Sequence, residues 1–187
     1  MTPISLQQRL KLVLSHLRAL KEQSPGFQVV VFSQFSSYLD LIENELKLLD
    51  GGGETEFSVY KFDGRLNLNE RDKILQQFVQ KSEEGKITVL LLSLKAGGVG
   101  LNLTCANKAF MMDPWWSPSI EDQAIDRIHR IGQEQNVKVT RFVVKNSIET
   151  KMLKIQERKR MMGEAVEVEE EERRRQRIED IKLLFDE

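Results

Sequence analysis

ITVLLLSLKAGGVGLN, residues 87–102, joins the most apolar run of the chain to a loop holding three glycines. Ile87 to Leu92 shows no sustained alternation of apolar and polar residues. A short run of that kind belongs to a strand covered on both faces, as in a parallel sheet; a half-exposed strand would alternate. Working outward, Val29 to Phe32 is a second such run, rich in β-branched residues. Phe57 to Phe62, Ala109 to Met112 and Val137 to Val144 complete a set of five strands.

Helical patterns lie between and around these runs. Leu6, Leu10, Val13, Leu14, Leu17 and Leu20 fall on one face of a helix over residues 5–23, which Ser24-Pro25-Gly26 stops. After the first strand, Phe35, Leu39, Ile42, Leu46 and Leu49 make an inner helical face, and Gly51 to Gly53 form a flexible loop. Asn67 and Glu70 have the spacing of a capping box, with Asn in place of the usual Ser or Thr. The helix they open turns Ile74, Leu75 and Phe78 inward. Ser117 is the N-cap and Pro118 the first residue of a helix running to about Arg130. Ser147 opens another, to about Met161, and a charged stretch ends with Ile178, Ile181 and Leu184 at helical spacing. Strand and helix alternate five times, which defines an α/β domain with a mainly parallel sheet.

In such a sheet ligands bind at the carboxyl ends of the strands. Ser33 and Gln34 follow the first strand; Asp63, Gly64 and Arg65 the second; Ser93, Lys95 and the glycines the third. Asp113, Trp115 and Trp116 follow the fourth. Hydroxyl, amide, glycine, basic and aromatic groups on one edge suit a phosphate-bearing ligand, although any single polar loop is also just a loop. The glycine loop is neither a Walker A loop nor a dinucleotide fingerprint, because the required spacings are missing. Its glycines allow either a tight turn or a close approach of backbone N–H groups to an anion.

The segment QAIDRIHRIGQ (Gln123 to Gln133) reads as one helix. Ile120, Ala124, Ile128 and Ile131 form an apolar stripe, and Gln123, Asp126, Arg127 and Arg130 lie opposite. Two arginines at this spacing fit a solvated ion-paired face or a site for a transferring phosphoryl group, for which Arg is well suited. Trp115 reads as core. Trp116, framed with it by Pro114 and Pro118, reads as a stacking surface. Of the two histidines, His16 reads as surface and His129 as part of the arginine helix; neither reads as a metal ligand.

A length of 187 residues fits one domain with an appendage. The net charge of −1 hides a segregated tail, acidic over Glu167 to Glu172 and basic over Arg173 to Arg177. That tail fits a solvated helix or a partner site. A single cysteine, Cys105, excludes an intrachain disulfide and a cysteine-based metal site, and fits a reducing compartment. No apolar run approaches a membrane span.

The strings VVVFSQFSSYLDLIE, YKFDG, LLLSLKAGGVGLNLTCAN, MMDPWWSP and QAIDRIHRIGQ together resemble the ordered motifs of the second RecA-like lobe in Swi/Snf-type ATPases of helicase superfamily two. The resemblance covers roughly residues 5–162. The C-terminal part is most similar to the group of DNA-repair translocases that also carry a RING ubiquitin ligase, the Rad-five and helicase-like transcription factor group. It implies a three-layer RecA-like domain over 1–162 and a charged helical extension over 163–187.

By the same resemblance Arg127 and Arg130 reach the ATP γ-phosphate on the other lobe, with Arg130 the main finger. Gln123, Asp126, Gly98 and Gly100 stand near the nucleotide. Ser33, Gln34, Ser93, Lys95 and Arg65 contact DNA phosphates, and Trp116 sits against the minor groove. ATP and Mg²⁺ are held mainly by a first lobe that this sequence lacks, having no Walker A lysine and no Asp-Glu box. RING cysteines are also missing, and Ser117 stands where the family often has Asn. The implied partners are duplex or fork DNA and the first lobe, with ubiquitin-conjugating machinery and a sliding clamp reached through other regions, in the nucleus. Two other readings stay open. An RNA helicase lobe would carry Arg-x-Gly-Arg in place of the end of QAIDRIHRIGQ. A degenerate lobe would bind partners without ATP chemistry.

Overall fold

A computed structural model describes residues 6–23, 26–49, 56–80, 86–96, 100–162 and 170–185. The expected stop at Ser24-Pro25, the Gly51 to Gly53 loop, Gly97, Gly98 and the first half of the acidic tail segment, residues 167–169, lie outside them. In chain order the elements are α1 (Leu6–Gln23), β1 (Gln28–Ser33), α2 (Ser36–Leu49), β2 (Phe57–Phe62), α3 (Leu68–Val79) and β3 (Ile87–Ser93). Then come β4 (Lys108–Met111), α4 (Pro118–Ile125), β5 (Lys138–Arg141), α5 (Ile148–Met162) and α6 (Glu170–Phe185).

The five strands form one sheet in the order β2-β3-β1-β4-β5, and every pairing is parallel. Side chains alternate between the faces. Val29, Val31, Val89, Leu91 and Phe110 pack with Leu17, Leu39 and Ile42 of α1 and α2. Val30, Phe32, Leu90, Leu92 and Met111 pack on the opposite face with Phe78 of α3 and with Ile128. The result is a three-layer α/β/α domain. β3 is buried at all seven positions, which is why its sequence is apolar without alternation. The capping box of α3 is formed as expected, with Asn67 Oδ1 accepting from the Glu70 N–H and Glu70 accepting from the Asn67 N–H. A third, small cluster joins Met152 and Ile155 of α5 to Leu184 of α6, so the terminal helix docks on this lobe.

Several expectations are corrected. Phe35 is 53% exposed; it precedes α2, where its carbonyl accepts from the Tyr38 and Leu39 N–H groups, and Tyr38 takes the inward place. Strand β5 is shorter than Val137 to Val144, because it is a half-exposed edge strand and Phe142 turns into the core. His16 is not simply surface: its ring lies 5.3 Å from that of Phe110 and 6.0 Å from that of Phe142. Ser117 holds the N-cap position of α4 without a side-chain capping bond; its Oγ pairs with Ser119 Oγ at 2.7 Å. On α6 only Leu184 of the three spaced hydrophobics is buried, while Ile178 and Ile181 face solvent.

The largest correction concerns the arginine helix. It stops at Ile125, and residues 126–132 run through turns. Ile131, expected on the apolar stripe, is 100% exposed. Past Ile125 the Arg127 and Ile128 N–H groups bond three residues back, to the Ala124 and Ile125 carbonyls, in place of the helical four. The turn is tied to the loop before β4: the Arg127 carbonyl accepts from the Leu103 N–H at 2.9 Å, and the Ile128 carbonyl lies 3.2 Å from Gln133 Nε2.

Leu91→Ala should lower the unfolding free energy by about 2–5 kcal/mol, since a fully buried leucine leaves a cavity in a packed sheet face. Leu48→Ala, at an exposed position of α2, should change it by less than about 0.5 kcal/mol. Urea denaturation followed by circular dichroism measures both; equal losses would contradict the packing described.

Candidate functional site

The chain leaves β1 toward β2 on one side of the sheet and leaves β4 toward β5 on the other, yet β1 and β4 are neighbours. A crevice therefore opens at their carboxyl ends, the usual ligand position in such sheets. Two buried side chains shape its rim. Ser33 Oγ accepts from the Phe35 N–H at 3.1 Å and also bonds the Asp113 carboxylate, whose Oδ2 accepts from the Gln34 N–H at 2.9 Å. Burial pushes the Asp113 carboxyl above the ordinary range, with these hydrogen bonds opposing it. Ser33, expected at a DNA phosphate, is 0% exposed, and its hydroxyl is occupied in fixing the turn that presents Gln34.

Beside this rim lies a cleft of about 240 Å³. Phe32 and Leu92 line it together with Gln34, Ser93 and Lys95, the ends of β1 and β3, which lie in register through Ser33 and Ser93. Trp115, Gln123 and Arg127 line it too. Residues expected on the DNA side and residues expected on the nucleotide side thus share one cavity. Arg130 is exposed on the turn beyond α4, and Asp126 is the exposed C-cap of α4. Gly100 has φ +31, a conformation strained for any side chain-bearing residue. Gly98 lies outside the described residues. Trp115 is half-buried against the cleft, and Trp116 is 36% exposed on the same loop.

Charge pairing separates the arginines. Arg9, Arg18, Arg65, Arg141, Arg158 and Arg160 each lie against a carboxylate. Among the described residues Arg127 and Arg130 have no such partner. Arg65, expected at DNA phosphates, is paired within the lobe. Its guanidinium bonds Asp40 at 2.7 and 3.1 Å and Asp63 at 2.9 Å, so its charge is compensated within the lobe. The Arg65 hydrogen bonds, followed by that of Lys61, hold the Asp40 carboxyl down at about 2.

Gln133 is a residue whose role the sequence did not reveal. Its Nε2 lies 3.0 Å from the Thr104 carbonyl, 2.9 Å from that of Ala106 and 3.2 Å from that of Ile128. Its Oε1 accepts from the Gln135 N–H at 2.9 Å. One amide thus staples the arginine turn to the loop that follows the glycines, and Gly132 at φ +99 makes the bend. The signal was its place after a glycine at the end of the arginine segment. Cys105 belongs to the stapled loop; burial raises its thiol, which favours the inert neutral form.

A parallel sheet in this order, with polar groups gathered at its carboxyl ends, defines a RecA-like α/β lobe. Residues 8–132 match the helicase conserved C-terminal domain, and the chain belongs to that family. It is 65% identical over 184 residues to "DNA repair protein RAD5" of Debaryomyces hansenii, covering 98% of this chain and 15% of that protein. It is 55% identical over 185 residues to the protein of the same name from Saccharomyces cerevisiae, covering 99% of this chain and 16% of that one. The chain therefore spans about a sixth or less of the length of these relatives. It also resembles the solved C-terminal part of the Fun30 ATPase domain, with a TM-score of 0.68 and 31% identity over 80% of this chain and 45% of that one. The chain is a helicase C-terminal lobe of the RAD5 type.

Two measurements address the site's internal wiring. Arg65→Ala should raise the Asp40 carboxyl from about 2 part of the way to its ordinary 3.8, with Lys61 at 2.9 Å retaining the rest. A carboxyl depressed on folding stabilises the fold above its unfolded value and loses that contribution as pH falls toward about 2. Carboxyl-carbon NMR titration should therefore show an upward shift in the variant, and an unmoved Asp40 would contradict the pairing. Gln133→Ala should cost about 1–3 kcal/mol by leaving carbonyls of the staple unpaired. Hydrogen exchange should rise at the Leu103 amide, and unchanged protection there would mean the turn is held by something else.

Proposed function

We propose that this chain is the second lobe of an ATP-driven translocase on double-stranded DNA that acts in DNA repair, including fork remodelling, within a longer nuclear protein. The observation that carries the reading is the Arg127 guanidinium, without a carboxylate partner among the described residues, in a cleft that also holds Lys95 and Gln123, with Arg130 likewise unpaired and exposed on the turn beyond. Desolvating a cation next to a cavity is costly unless an anion completes it. The polyphosphate of ATP, presented by a facing lobe, is such an anion. The names of the relatives, DNA repair proteins, support the DNA-repair setting.

The cleft suits phosphate and does not suit magnesium. None of its lining residues is a carboxylate, and no cluster of three or more His, Cys, Asp or Glu side chains occurs among the described residues. Mg²⁺ would accordingly be held by the facing lobe, where it offsets phosphate charge. Hydrolysis of the terminal phosphoanhydride supplies the free energy of the cycle. Arg127, half-buried on the pinned turn, and Arg130, exposed beside it, supply fixed positive charge where negative charge develops. The turn needs no reorganisation to do so, because Ile128 and Gln133 hold it from below. Gln34 and Lys95 stand at the strand ends as donors to DNA phosphates, with Ser93 nearly buried in the cleft wall, and Trp116 offers an aromatic face. Such contacts are independent of base sequence and weaken with salt. A ubiquitin ligase and sliding-clamp contacts, if the parent shares them with its group, reside in other regions.

The test is ATP hydrolysis by the lobe joined to its native N-terminal half, with and without duplex DNA. Wild type should be stimulated by DNA. Arg130→Ala should lose about 10³-fold or more in turnover, the scale of an arginine finger, while DNA affinity persists. Unchanged turnover would remove Arg130 from catalysis. A wild-type protein without DNA-stimulated turnover would favour a lobe that only binds partners.

A further inference from the structure

The loop from Asp113 to Ser117 contains Pro114, which lacks a backbone donor, and is closed by Pro118 at the start of α4. Its last sheet-type hydrogen bond runs from the Met112 N–H to the Phe32 carbonyl at 2.9 Å. Beyond that point the tryptophans are held by side chains. Glu121, on the first turn of α4, is 0% exposed. Its Oε1 accepts from the Trp115 N–H at 2.8 Å and from Gln156 Nε2 at 2.6 Å. Gln156, itself buried, also donates to the Trp115 carbonyl. Arg141 of β5 stands 3.2 Å from Glu121 Oε2. Lys159 Nζ donates to the Trp116 carbonyl at 3.1 Å and lies 3.1 Å from Asp180 of α6.

Two donors, a backbone amide and a glutamine amide, converge on Oε1 of this buried carboxylate, and the Arg141 guanidinium lies against Oε2 as an ion pair without hydrogen-bond alignment. A buried carboxylate is tolerated only when it is hydrogen-bonded and paired with opposite charge. An amide at the same place would turn its NH₂ toward the Arg141 guanidinium. Two residues further along α4, Gln123 lines the cleft beside Trp115 and Arg127. Trp116, the next residue of the clamped loop, faces outward.

We propose that Glu121 is a positioning residue that locks α4, the Trp115-Trp116 loop and α5 into one body, so that the nucleotide-facing cleft and the outward tryptophan move together. This role rests on the motor reading above for its consequence, but its structural part is separately measurable. Glu121 touches neither ligand and acts through the tryptophan backbone and the seating of Gln123.

Trp115 and Trp116 are the two tryptophans of the chain, so its intrinsic emission reports on this loop. In the 187-residue chain, Glu121→Gln should red-shift the emission and raise acrylamide quenching severalfold, while far-ultraviolet dichroism stays that of the wild type. Lys159→Met, which removes the hold on the Trp116 carbonyl from a partly exposed site, should do the same to a smaller degree, and it decides the matter if Glu121→Gln does not fold. In the two-lobe protein, the DNA concentration for half-maximal ATPase stimulation should rise about tenfold, the scale of one misplaced aromatic contact. The KM for ATP should move much less. Unchanged emission and quenching in folded variants would overturn the positioning role whatever the ATPase does. Loosened tryptophans in a two-lobe protein whose wild type lacks DNA-stimulated turnover would uphold the clamp and sink the motor reading instead.

Discussion

Strand β1 is hydrogen-bonded along both edges and covered on both faces, and the rest of the lobe is arranged by that double confinement. Its pairing with β3 sets Ser33 level with Ser93, and its pairing with β4 brings Asp113 to the same end. Parallel pairing is what makes the strand ends coincide: three segments distant in sequence deliver their next residues to one place. The apolar faces leave little freedom to change this register, since a slip of one residue would exchange the two cores. The rim of the cleft follows from the packing of the sheet.

Above that rim the structure distributes charge unevenly. The end of β2 is neutralised locally, with Arg65 between Asp40 and Asp63 and Lys61 between Asp40 and Glu43. Around α5 the carboxylates of Asp122, Asp180 and Glu121 absorb Arg160, Arg158 and Arg141. Arg127 and Arg130 receive no such compensation among the described residues. Intramolecular pairing and availability to an external anion are alternatives for a guanidinium, and the lobe assigns different arginines to each.

The fold class was legible because burial on both faces leaves a distinctive trace in sequence. Runs such as Val29 to Phe32 and Ile87 to Leu92 need no partner to be recognised. The capping box at Asn67 and Glu70 was equally local. The pairing of Arg65 and Ser33 was not legible for a common reason: a side chain after a strand looks available until its neighbours in space are known. Asp40, which occupies Arg65, lies 25 residues away, and Asp113, which bonds Ser33, lies 80 away.

The sequence by itself determined the strands, their approximate ends and the residue types gathered at one edge of the sheet, because those depend on hydrophobic period and on local backbone chemistry. Its motif order was also enough to identify the family. Only the tertiary structure decided how the arginine segment is held beyond α4, since the Leu103 amide and the Gln133 side chain bond carbonyls of its turn. It likewise decided which arginines stay unpaired and that Glu121 is buried between two amide donors and the Arg141 charge. Each of these depends on partners distant in the chain, and such pairing has no periodic signature.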